Sequence, residues 1–204
     1  MNCLKYLRYI NGNSYCTFEA LGQAIHSLCF QLYKECLVLS DDAKRFIMAR
    51  ELHRGQTAQY LTNGLMMPTF IAIGYLVSRY TNRKLNLFKA PPLYRIIMYG
   101  IMSTASIFTS IMLEDVSKYY TEIELDRKTC KLGLNYATGA IEYYDKVLKS
   151  NIALRSLISG NYGKNQYNLQ GDYWPPFFRP YKHTPFTLRK KTCEDIYNTM
   201  ELKS

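Results

Sequence analysis

Three short tracts hold the residues with chemistry in them: Arg50-Glu51-Leu52-His53-Arg54, Glu122-Ile123-Glu124-Leu125-Asp126, and His183-Thr184-Pro185 with Arg189 six residues after the histidine. Carboxylates and imidazoles are the raw material of a hydrolytic zinc centre, which needs three protein ligands and one open position. Guanidinium groups are its opposite. They stay protonated at physiological pH, offer no lone pair, repel a divalent cation and fork onto carboxylates. On a helix, His53 sits about 100° around the axis from its neighbour Arg54, which reads as a surface or core-edge histidine. The six cysteines, at positions 3, 16, 29, 36, 130 and 193, include no C-x-x-C pair and read as free thiols.

The order of these tracts resembles the HtpX-type membrane zinc peptidases. In those, an H-E-x-x-H helix, a membrane hairpin, an E-x-x-x-D helix and a late H-P-x-x-x-x-x-R-like segment follow one another. The resemblance implies that Glu51 stands at the general base, Glu122 at the third metal ligand and Asp126 at the acid behind the ligands. The two histidine ligands would fall at positions 50 and 54, and both are arginine. This predicts a degenerate scaffold, a pseudoenzyme in which Arg50 or Arg54 takes the metal's electrostatic role and pairs with Glu122. No metal, cofactor or small-molecule substrate is expected. The alternative is a zinc hydrolase that recruits His53 and His183, in a geometry the sequence does not support. Left as ordinary exposed charges, these residues would be worth only about 0–1 kcal/mol each.

Between the first two tracts lie two charge-free stretches, 55–78 and 96–113, joined by a linker with Arg79, Arg83, Lys84, Lys89 and Arg95 and no acid. A spanning helix needs roughly 20 predominantly apolar residues. The pattern predicts a membrane hairpin with spans at about 60–78 and 94–113, the first interrupted by Pro68. Tyr60, Tyr80 and Tyr94 would mark the interfaces, with Arg95 snorkelling to one of them. Small residues at Gly100, Thr104, Ser106 and Ser110 would let the helices approach closely. A basic loop between spans is expected on the side from which insertion proceeds. The competing reading is a buried helical hairpin in a soluble domain.

With 204 residues, 48% of them hydrophobic, and 19 tyrosines, the chain has material for one domain plus the hairpin. Its net charge of +10 owes 5 to the linker, and no signature organises the rest for nucleic acid, which is excluded as a partner. The expected divisions are an N-terminal segment over 1–38, a juxtamembrane helix over 39–59, the hairpin over 60–113, and a helical domain over 114–204 with an aromatic loop at 161–185. Ser40-Asp41-Asp42 is a good helix start, and that helix is expected to run into the first span. Helices are predicted at 114–132, 136–158 and 185–200. The loop, with Tyr173-Trp174-Pro175-Pro176-Phe177-Phe178, is expected to pack over a core. Residues 1–18 hold Lys5 and Arg8 and no acid, a faint presequence-like pattern without the Arg- and Ser-rich character of a convincing one.

The tract from Leu39 to Glu51, the tract from Leu125-Asp126-Arg127-Lys128-Thr129 to Gly139-Ala140-Ile141-Glu142-Tyr143-Tyr144, Asn151-Ile152-Ala153-Leu154-Arg155-Ser156-Leu157, and Lys182-His183-Thr184-Pro185 together resemble the transmembrane protein 177 family over about 39–195. Residues 1–38 do not match it. The family's N-terminal span and strand-containing region have no counterpart, as in an abbreviated isoform or an incomplete gene model. The resemblance implies a mostly α, multi-pass protein of the inner mitochondrial membrane that assists assembly of cytochrome c oxidase. Its implied partners are the copper-bearing second subunit, that subunit's membrane chaperone and the lipid bilayer. The basic loop would then face the matrix, and the domains flanking the hairpin the intermembrane space.

Overall fold

The computed structural model describes residues 18–89, 91–158 and 162–202; residues 1–17, with most of the presequence-like pattern, lie outside them, as does the side chain of Tyr60. The described residues form seven helices, α1 (Phe18–Leu37), α2 (Asp41–Gln56), α3 (Gln59–Lys84), α4 (Pro92–Cys130), α5 (Leu134–Leu157), α6 (Tyr162–Gln166) and α7 (Phe186–Glu201). One isolated antiparallel bridge joins Tyr167 to Tyr173.

The domain is built around α5, against which α1, α2 and α7 pack. Ser40 caps α2, its hydroxyl accepting the Ala43 N–H at 3.2 Å. That hydroxyl in turn donates to Glu142 on α5, so the cap also docks the helix. Ala43, Phe46 and Arg50 recur at helical spacing on the buried face. A Cβ at Gly139 would strike the Asp42 carbonyl, so the first turn of α2 lies backbone to backbone on α5. The core is Phe46, Cys130, Ala137, Ala140, Tyr144 and Cys193, all fully buried. Cys29, Cys36, Cys130 and Cys193 are free thiols.

Helices α3 and the first half of α4 make the hairpin, and it is inside out for a water-soluble fold. Its seam is small or polar: a Cβ at Gly74 on α3 would collide with the Ser106 side chain on α4, Asn82 donates to the Tyr99 hydroxyl at 3.1 Å, and Ser78 and Ser110 are buried. Outward go Leu61, Leu65, Ile71, Leu76, Ile96, Ile101 and Phe108. Only 6% of either apolar window is buried. The hydroxyls of Thr69, Ser78, Thr104 and Ser106 bond back to carbonyls four residues earlier, at 2.7 to 2.9 Å. With no water in the bilayer core, polar groups must be satisfied in this internal way. A soluble protein does not expose a continuous belt of this kind, so the hairpin is the membrane-spanning part of an integral membrane protein.

Four boundaries differ from expectation. Helix α2 does not run into the span: Thr57 is extended, and its N–H and hydroxyl both cap the Arg54 carbonyl, a local bond that competes with helix continuation. Helix α3 continues through Pro68 for 26 residues, about 39 Å at 1.5 Å per residue. The second span and the helix predicted at 114–132 are one helix, α4, of 39 residues. Most of the basic linker is helical too, leaving only residues 85–91 as the connection. Of the four small residues singled out on α4, Ser106 and Ser110 face the seam, whereas Gly100 has open space around it and Thr104 is exposed.

Candidate functional site

Where α2, α4 and α7 converge, three arginines meet three carboxylates. Helix α2 supplies Arg50, Glu51 and Arg54; the lower half of α4 supplies Glu122 and Asp126; α7 supplies Arg189 from its first turn. Asp126 has no exposed surface. Its Oδ1 accepts Arg50 Nε at 2.8 Å, Arg189 Nη2 at 2.9 Å and the Tyr144 hydroxyl at 2.8 Å, while Oδ2 accepts Arg189 Nε at 2.6 Å. Glu122 takes Arg50 Nη2 and, at 3.2 Å, Arg189 Nη2 on one oxygen, and Arg54 Nη2 at 2.5 Å on the other. Glu51 closes the edge, with Arg50 Nη1 at 2.8 Å and Arg54 Nη1 at 3.1 Å.

All six carboxylate oxygens are therefore engaged by guanidinium groups, and the three charges of each sign cancel. Position decides what each pair is worth. Arg50, Arg189 and Asp126 are desolvated, so removing one partner leaves an unmatched buried charge at a cost of about 3–5 kcal/mol. Arg54 and Glu51 stand at the wetter rim, where a pair contributes about 0–1 kcal/mol. Burial and the neighbouring Arg189 both work against charge on Arg50, yet Asp126 and Glu122 outweigh them and its pKa is raised. Arg189 is raised in the same way against its own burial, chiefly by the hydrogen bond to Asp126. Its guanidinium also lies over the Tyr144 ring, 4.8 Å from the centroid. Burial first, then Asp126, push the Tyr144 hydroxyl well up, so it remains a donor.

This donor set does not fit zinc. Arginine has no lone pair to give, and no carboxylate oxygen is left without a cation. Among the described residues no three His, Cys, Asp or Glu side chains converge as metal ligands. His53 takes no part in the network. His183 stands apart as well, on the rim of an adjoining cleft of about 310 Å³ that Asn63, Lys118, Glu122, Lys182 and Arg189 also line. Its ring meets Tyr173 at 5.0 Å. Partial desolvation lowers the pKa of His183, and Lys182 adds to the effect.

The five basic residues of the hairpin lie together at its tip, far along α3 and α4 from this network. Among the described residues none of Arg79, Arg83, Lys84, Lys89 and Arg95 has a carboxylate partner; Lys84 lies over Tyr80 and Arg95 over Phe88. Two contributors escaped the sequence. Tyr144 was legible only as one apolar position in a helical series, and Asp115 pairs with Arg179, 64 residues away, through two bonds of 2.7 Å. Nothing local announces either partnership.

The sequence profile of transmembrane protein 177 matches residues 13–178. The match thus begins upstream of position 39 and takes in part of the segment expected to diverge. Transmembrane protein 177 of Homo sapiens is 29% identical over 164 residues, 80% of this chain and 52% of that protein. That of Xenopus laevis is 27% identical over 168 residues, 82% and 54%, and that of Danio rerio 28% over 161 residues, 77% and 50%. The chain spans about half the length of these curated relatives. No solved structure matches it significantly. The chain belongs to the transmembrane protein 177 family.

Proposed function

We propose that this chain is a non-catalytic membrane protein that grips other membrane proteins and cuts none. The observation that carries the reading is the arginine clasp. Groups that would bind a metal and activate water in a peptidase of this layout are here locked to guanidinium side chains, which serve to hold α2, α4 and α7 together. The hairpin and the helices at its base then form a rigid surface for a membrane-embedded partner.

Family membership supports the finer proposal. The site of action is the inner mitochondrial membrane, and the role is to stabilise or assist assembly of cytochrome c oxidase through its copper-bearing second subunit and that subunit's chaperone. Helix α3 ends and α4 begins in basic residues that have no carboxylate partner among the described residues; by the positive-inside rule these belong in the matrix, with the clasp in the intermembrane space. Tagged chain expressed in mitochondria should co-purify with newly translated second subunit, and recovery no better than from untagged cells would contradict this. Purified protein should carry no stoichiometric zinc; zinc that is present and lost on Glu122→Ala would overturn the non-catalytic reading.

A further inference from the structure

The aromatic segment between α6 and α7 does not simply pack over the core. Tyr167 and Tyr173 pair with each other, at 4.9 Å between rings. Beyond them the backbone N–H of Arg179 donates to the Pro176 carbonyl at 2.9 Å. This closes a turn with Phe177 and Phe178 at its two central positions, behind the rigid Pro175-Pro176 pair. The two rings meet edge-on and remain 91% and 71% exposed.

Contacts with α4 give the turn a direction. The Thr184 hydroxyl donates to the Tyr119 carbonyl at 3.5 Å, and the Tyr181 ring lies 5.5 Å from that of Tyr119. Arg179 then forks onto Asp115. As residue numbers fall from 184 to 179, the segment climbs α4 from Tyr119 to Asp115, about 6 Å toward the bilayer. The next step along α4 is Leu113, exposed at the end of the lipid-facing stretch. Arg95 to Leu113 covers about 27 Å of helix, close to the hydrocarbon thickness of about 30 Å. Phe177 and Phe178 come immediately before Arg179, at the exposed end of this climb. The Asp115 carboxylate is almost wholly buried, and a charge in that position needs its partner, so the arginine fixes the height of the turn.

We propose that the 174–178 turn is a third membrane contact, with Phe177 and Phe178 inserted into the bilayer interface beside α4 and Trp174 at headgroup depth. Lipid is the occupant because the aromatic patch continues the lipid-facing belt of α4 at the level where that belt ends, and interfacial positions favour aromatic side chains. The proposal is independent of any role in oxidase assembly.

Trp174 is the chain's single tryptophan and reports on the turn directly. With the full chain reconstituted in phosphatidylcholine vesicles, its emission should be blue-shifted. Lipids brominated near the headgroup should quench it severalfold more than lipids brominated at the chain end. Replacing both rings, Phe177→Ser with Phe178→Ser, should abolish most of that quenching with helical content unchanged, and Arg179→Ala should do the same. Water-like emission quenched by iodide and not by brominated lipid would overturn the proposal. So would a blue-shifted emission that no brominated lipid quenches, which would place protein rather than lipid over the turn. Either wild-type result stands even if a variant fails to fold.

Discussion

One helix, α4, obeys opposite rules along its length. Over 92–113 its outward residues are Ile96, Ile101 and Phe108, and its inward ones are Ser106 and Ser110. Over 114–130 the inward residues are Asp115, Leu125, Asp126, Thr129 and Cys130, and Arg127 and Lys128 point out. The change of sign falls within one turn, at Leu113-Glu114-Asp115. In lipid, apolar surface costs nothing outside, and close approach of backbones through small residues provides the contact. In water the apolar side turns inward, and a buried acid such as Asp126 persists only because several donors converge on it. The helix is unbroken, so one continuous backbone joins the clasp to the hairpin.

The sharpest way to break this comparison is to unbalance the aqueous half. Asp126→Ala removes the buried carboxylate that Arg50 and Arg189 share and leaves Glu122 alone between them, which should cost about 3–5 kcal/mol, read as loss of thermal stability in nanodiscs. Next comes a pair of substitutions at equal exposure: Ile101 is 64% exposed and Met48 67% exposed. Ile101→Lys should impair membrane insertion by about 2.5–3.5 kcal/mol, as measured in a translocation assay. Met48→Lys should fall within about 0.5 kcal/mol of wild type; equal effects would erase the distinction between the halves. In the seam, Gly74→Leu should destabilise by about 1–3 kcal/mol through overpacking, whereas Gly100→Leu, pointing into open space, should unfold at the wild-type temperature.

The smallest effect is at the α2 cap, where Ser40→Ala should cost about 1 kcal/mol. Hydrogen bonds from Lys146 and then from Ser40 hold the Glu142 carboxyl below its ordinary value of 4.5. Its contribution is therefore complete above about pH 4.5 and is lost as pH falls through the lower folded value. Removing the Ser40 hydroxyl should make that acid loss shallower in a pH-dependent melting series.

Much of this was legible in the sequence where the signal was local. The hairpin stands out by its charge-free runs, and Arg50, Arg54 and Glu122 by a chemistry that only guanidinium and carboxylate could share. What stayed hidden depended on a partner. Gly100 and Ser106 read alike as small residues, and only the position of the neighbouring helix makes one a lipid-facing gap and the other a contact. The apolar pattern ends at Leu113 and divides 94–113 from 114–132, yet the helix is continuous, because a change of solvent is not a helix-stop signal and nothing at Leu113-Glu114 breaks the backbone. The stop at Thr57 depended on a hydroxyl choosing the Arg54 carbonyl, a choice that propensity alone does not settle. Arg179 lay in a proline-rich loop whose anchor on Asp115 only tertiary contact discloses.

The arginines and carboxylates of the clasp act as one energetic unit. A double-mutant cycle on Arg50→Ala and Asp126→Ala, measured by unfolding in nanodiscs, tests it most directly. A coupling of about 1.5 kcal/mol or more is expected between the two substitutions, as close charge pairs show elsewhere. Additive costs, agreeing within about 0.5 kcal/mol, would mean that the clasp is a set of bystander charges and would contradict it.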